Sequence, residues 1–131
     1  MAVGPNYGLG KGFLATGTAA YAYGQIVKST TDGKGVAPIA AATDVPRGVV
    51  MEDIDATKVA TGKAVIGVML EGIVRVKSGG AIVADALVKT SAGGKSVVAA
   101  AAGDWAVGRA MIPASAAGAW IEIHLTPGVK A

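Results

Sequence analysis

His124 is the single histidine of the chain, and Glu122 precedes it by two residues in the segment Trp120-Ile121-Glu122-Ile123-His124-Leu125. Alternation of this kind predicts a strand with Trp120, Glu122 and His124 on one face and Ile121, Ile123 and Leu125 on the other. An imidazole that titrates near neutral pH can act as a general base. A hydrolase would also need a nucleophile and an orienting group, and no Gly-x-Ser-x-Gly elbow and no Cys occur. The row therefore reads as a surface or interface face, and no catalytic residue is assigned.

The other chemical strings weaken on the same inspection. Glu52-Asp53-x-Asp55 is the one acidic cluster. Hard cations favour such oxygens, but the Gly and the bidentate Glu of a calcium loop are missing. A solvated loop, or a helix start favoured by the dipole, accounts for it better. Gly94-Lys95-Ser96 looks like the end of a phosphate loop, yet position 89 is Lys where such a loop needs Gly, and Val97-Val98 continues as a strand. Gly8-x-Gly10-x-Gly12 has the wrong final spacing for a dinucleotide fingerprint, and no strand precedes it. Without Cys, disulfides and thiolate metal sites are excluded, and one His makes no cluster of His ligands. Neither a metal nor a cofactor is expected.

Composition narrows the class further. The chain has 131 residues, with 20 Gly and 27 Ala among them, is 52% hydrophobic and only 16% charged. One domain is expected at this length, and the apolar content argues against disorder across most of the chain. The net charge of +3 comes from scattered lysines and arginines with six aromatics, not from the basic stripe of a nucleic-acid binder. No run approaches the ~20 apolar residues of a membrane span. Ala20-Tyr21-Ala22 fits a small-x-small cleavage site, but residues 12–18 make a poor apolar core for a signal peptide.

The elements that must position any site are strands. Val and Ile together number 26 against 5 Leu, and β-branched side chains suit pleated sheets. Turn signals recur at the spacing of a sandwich or barrel. Strands are expected at 25–30, 35–40, 47–51, 64–70, 73–77, 87–90, 96–99, 106–112 and 120–125. Asp32-Gly33 marks a hairpin, and residues 56–60 a single helical turn after Asp53 and Asp55. The Ala-rich stretches 38–42 and 97–102 are too short for stable isolated helices. Ile26-Val27-Lys28-Ser29 with Gly33-Lys34 echoes Leu87-Val88-Lys89-Thr90 with Gly94-Lys95, and Gly48 and Met51 echo Gly108 and Met111. Residues 26–51 and 87–111 are thus either two related halves or two hairpins that look alike. Trp105 has no counterpart in the first copy, and reads as a core plug or an interface anchor.

Residues 1–24 differ from the remaining 25–131, which form the β domain. They hold six Gly, four of the six aromatics and one charged residue, Lys11. Glycine backbone is costly to order, so this segment is expected as an extended arm that orders on a partner or as an irregular covering strand. Its aromatics Tyr7, Phe13, Tyr21 and Tyr23, with Trp120 from the terminal row, are the candidate interface residues.

Two resemblances follow from the middle and end of the chain. The stretch from Gly72 to Val88 is similar to the hairpin-rich half of biotinyl and lipoyl carrier domains, with Lys95 as the tip lysine, although Gly94 and Ser96 do not match the usual neighbours. A longer order covers roughly residues 45–126. It runs Gly67-Val68-Met69-Leu70-Glu71-Gly72-Ile73-Val74-Arg75-Val76, then Gly79-Gly80-Ala81-Ile82-Val83-Ala84-Asp85-Ala86-Leu87-Val88, then Ala92-Gly93-Gly94-Lys95 and Val107-Gly108-Arg109-Ala110, and closes on Ala116-Ala117-Gly118-Ala119-Trp120-Ile121-Glu122-Ile123. This order resembles the capsid cement, or decoration, proteins of tailed bacteriophages. The resemblance implies a small all-β barrel of the β-tulip kind with little helix, and a non-enzymatic virion protein made in the host cytoplasm. It also implies homotrimers on the outer capsid at three-fold or quasi-three-fold positions, holding major capsid protein subunits of the expanded shell, with the Gly-rich start as the capsid-contacting arm.

Overall fold

The computed structural model describes residues 8–41 and 43–131. The described residues form nine strands, most of them β-branched runs: β1 (Gly8–Ala15), β2 (Ile26–Ser29), β3 (Gly35–Pro38), β4 (Pro46–Val50), β5 (Val65–Lys77), β6 (Leu87–Thr90), β7 (Val97–Ala99), β8 (Trp105–Ala110) and β9 (Trp120–Lys130). One helical turn, α1 (Ala56–Ala60), follows Asp55, whose side chain accepts from the Lys58 amide and caps it. A short 3-10 turn at Ala92–Gly94 leads into β7.

The strand order is β1-β3-β2-β4-β5, closed by antiparallel pairing of β1 with β5, so these five strands form a barrel. The one parallel pairing within it joins β1 to β3 at Leu14↔Gly35 and Ala15↔Val36. Its interior is filled by Phe13, Val27, Val36, Val50, Ile66 and Val68, as a barrel this narrow requires. From β5 the sheet continues through β9, β8, β6 and β7. A parallel bridge between Ser78 and Val97 brings β7 back toward the end of β5. This second half has its own core around Val74, Val76, Val107, Ile121, Ile123 and Leu125.

The pairing register follows the echo in the sequence. Val27 lies opposite Gly48 in the first half, and Val88 opposite Gly108 in the second. The isolated bridges Tyr21↔Ile54 and Ile82↔Ala114 stand at the same offsets. So do two loop carboxylates: Asp44 pairs with Lys28 at 3.0 Å, and Asp104 with Lys89 at 3.1 Å.

Three expectations change. Residues 64–70 and 73–77 form one 13-residue strand, β5, instead of two. Gly72, with φ +113°, pairs with Gly8 on one side and Leu125 on the other. The positive φ open to glycine lets the strand swing from one partner to the next without ending. The last strand runs on to Lys130 through Pro127 and Gly128, because a register shift in β8 allows Trp105 to pair with Lys130. Residues 8–24 belong to the barrel domain and are not a separate arm. Gly8–Ala15 is hydrogen-bonded to strands on both sides, and Phe13 and Ala15 point into the core. The alternating glycines gave no hydrophobic period, so the strand was visible only through its partners.

Candidate functional site

Of the five candidate interface residues, the structure brings two together. Tyr7 lies outside the described residues. Phe13 and Tyr21 are core residues, 4% and 1% exposed, and present no ring to a partner. The Tyr21 hydroxyl donates to the Thr16 carbonyl at 2.7 Å, with the Val36 carbonyl 3.2 Å away. Burial raises its pKa, against the lowering effect of the Thr16 hydrogen bond. Their aromatic character signalled an anchor, but amphipathic surfaces and barrel interiors use the same residue types.

Tyr23 and Trp120 instead meet at the surface, their ring centroids 5.7 Å apart and tilted by 56°. Tyr23 is set by the turn before β2, where its backbone amide donates to Asp53 Oδ1 at 2.7 Å. Trp120 begins β9, opposite Lys77 of β5. The Lys77 ammonium lies 5.5 Å from the indole centroid, within cation–π range. Gly24, at φ +84°, allows the close approach of the indole, since a Cβ there would come within 2.9 Å of Trp120 Cζ3. The pair borders a hollow of about 340 Å³ that Gln25, Asp53, Lys77 and Lys95 also line.

The remaining sequence candidates are dispersed. Glu122 and His124 do share the outward face of β9 with Trp120, across from Arg75 and Ile73 on β5. His124 borders a larger groove of about 920 Å³ with Leu9, Ile73, Asp85, Arg109 and Met111. There the Arg109 guanidinium donates to the Asp85 backbone carbonyl at 2.6 Å. Each acidic residue of the Glu52-Asp53-x-Asp55 cluster accepts from a different backbone amide: Gly67, Tyr23 and Lys58. Among the described residues no group of three metal-ligating side chains converges. Trp105 is half-buried, with Lys130 Nζ 4.7 Å from its ring centroid. Lys95 is exposed just after the 3-10 turn, beside the aromatic pair.

Sequence reasoning missed Gln25 at this hollow. The one signal was its identity as the only glutamine in the chain, at the head of an apolar strand. Its neighbours Asp53, Lys77 and Lys95 come from three distant segments and carry no joint signal.

The fold has a known counterpart. The chain is similar to the crystal structure of the head fiber gp8.5 N base of bacteriophage phi29, at a TM-score of 0.66 and 14% sequence identity. The match covers 94% of this chain and 100% of that one, so the whole all-β architecture is shared. No protein-family model and no curated protein sequence matches the chain.

Proposed function

We propose that this chain is a structural protein of a bacteriophage virion that seats on the outer surface of the capsid. It acts as a homotrimer at three-fold or quasi-three-fold positions, binds the major capsid protein and stabilises the expanded shell without catalysis. The observation that carries the reading is the end-to-end likeness of fold to a phage head-fiber base. The order of Gly and small residues over positions 45–126 supports the same reading and adds the cement role. A low-charge surface with exposed apolar side chains such as Leu9, Met111 and Ile112 suits subunit contacts. Three linked copies would multiply weak individual contacts into firm attachment.

Native mass spectrometry at micromolar concentration tests the trimer, which is expected near three times 12.8 kDa. Co-sedimentation with expanded capsids of the parent phage tests the attachment, with unexpanded shells as the control. Retention on expanded shells supports the reading, and absence from both pellets overturns it. An adduct on Lys95 in protein from the native host would replace it with a carrier module.

A further inference from the structure

We infer that the hollow between Tyr23 and Trp120 is a binding site for an anionic saccharide, a use separate from attachment to the shell. Gln25 carries the inference. It is 4% exposed, and its carboxamide oxygen is engaged by the Ala22 amide at 3.0 Å. Among the described residues no group accepts from its NH2, and no fully buried side-chain nitrogen or oxygen is left without a partner. The NH2 therefore keeps some access to solvent, and Gln25 lines this hollow. A buried amide held by its oxygen, with its donors unengaged, is a preorganised recognition group.

The surrounding chemistry defines the ligand. The two aromatic rings offer an apolar wall for the C–H faces of a pyranose. One Asp53 oxygen is taken by the Tyr23 amide, and its other oxygen has no partner among the described residues, so it can accept from a sugar hydroxyl. Lys77 and Lys95 add two ammonium groups. Donors thus outnumber acceptors, and two positive charges face one negative. Both lysines are exposed and hydrated, so a neutral sugar gains little from them, whereas a carboxylate or phosphate on the ring would accept charge-assisted hydrogen bonds from their ammonium groups. The hollow, at about 340 Å³, is of single-sugar size.

The test is a titration of the intact, isotope-labelled chain, followed through its backbone amides, the Trp120 indole N–H and the Gln25 side-chain NH2. Methyl β-D-glucuronide and the neutral methyl β-D-glucoside are the two probes, each taken to about 50 mM, because a single sugar on an open site binds in the millimolar range. The expected result is movement of the Trp120 and Gln25 signals by the glucuronide, with the glucoside about fivefold weaker or worse. Lys95→Ala, at an exposed position that leaves the fold intact, should remove the preference between the two probes. Trp120→Ala should remove binding of both. The inference is overturned if neither probe moves the Trp120 and Gln25 signals, or if the two probes bind equally and Lys95→Ala changes nothing. It is also overturned if Trp120→Ala abolishes capsid co-sedimentation while neither probe binds, for then the patch is a protein contact. Failure to co-sediment with saccharide binding intact would sink the capsid reading alone.

Discussion

At the scale of the residue, the glycines that recur in the sequence mark places where a neighbouring strand leaves no room. A Cβ at Gly48 would press on the Met69 carbonyl at 2.5 Å, and one at Gly108 would overlap the His124 carbonyl oxygen. The two glycines hold equivalent positions, opposite Val27 and Val88. Gly48→Ala and Gly108→Ala should each lower stability by about 1–3 kcal/mol through overpacking. Gly80→Ala, where nothing lies within 4 Å, should be near neutral. Urea midpoints of the three variants check this, and equal midpoints would refute it. The loop carboxylates predict an acid response. Backbone amides of Ala40 and Ala41, with the Lys28 ammonium, hold the Asp44 carboxyl down at about 2. The Ala101 amide and Lys89 lower Asp104 in the same way. A carboxyl whose folded pKa lies below its unfolded one stabilises the fold above the unfolded pKa, about 3.9. That contribution falls away as pH drops from about 4 toward 2. Asp44→Asn should therefore flatten the loss of stability between those pH values. An unchanged slope in chemical denaturation across the window would disprove the assignment.

At the scale of the element, β1 is the strand that closes the barrel. It pairs with β5 from Gly8↔Gly72 to Leu14↔Val65 and with β3 at its end. Its amides should exchange with solvent as slowly as those of β4, and hydrogen exchange resolved by residue checks this. Rapid exchange throughout 8–15 would restore the picture of a loose arm. Deleting residues 1–20 would strip the β1 seam and leave β3 and β5 with open edges. Loss of capsid binding in that deletion would therefore report unfolding as readily as a lost contact, and point variants are the cleaner probe. The Tyr21 hydroxyl ties the loop after β1 to β3 by way of Thr16 and Val36. Tyr21→Phe should cost about 1 kcal/mol, whereas Tyr23→Phe, at a half-buried surface ring, should cost almost nothing.

At the scale of the whole molecule, the two halves are interlocked. Ile26, Val49 and Met69 of the barrel strands and Ile39 just after β3 belong to the core that contains Val107 and Ile123. Gly94, at φ +75°, packs its backbone onto the Ile26 carbonyl, where no side chain could fit. Strand β5 serves both halves, pairing with β1 and β4 early and with β9 late. The molecule should therefore unfold in one transition, with the calorimetric and van't Hoff enthalpies equal. Val107→Ala in the second half should shift that single transition without splitting it. Two resolved transitions would show that the halves are independent.

The sequence by itself determined the class of fold and the facing of most strands. Val74 and Val76 turn inward and Arg75 and Lys77 outward, and Ile121, Ile123 and Leu125 oppose Trp120, Glu122 and His124, as alternation requires. Asp32-Gly33 makes the first hairpin turn, where Asp32 accepts from the Lys34 amide. These features are local, and period-two patterning and turn chemistry suffice to state them. What only the tertiary structure decided is which aromatic residues are buried and what surrounds those that are not. Phe13 and Tyr21 went to the core because β1 closes a barrel, a pairing across more than fifty residues that its glycines could not announce. Tyr23, Gln25, Asp53, Lys77, Lys95 and Trp120 share a hollow because the β5–β9 register sets Trp120 beside Lys77, and the turn before β2 lies against the same face. Contacts between distant segments depend on strand order and closure, and these are properties of the whole chain that no window of residues encodes.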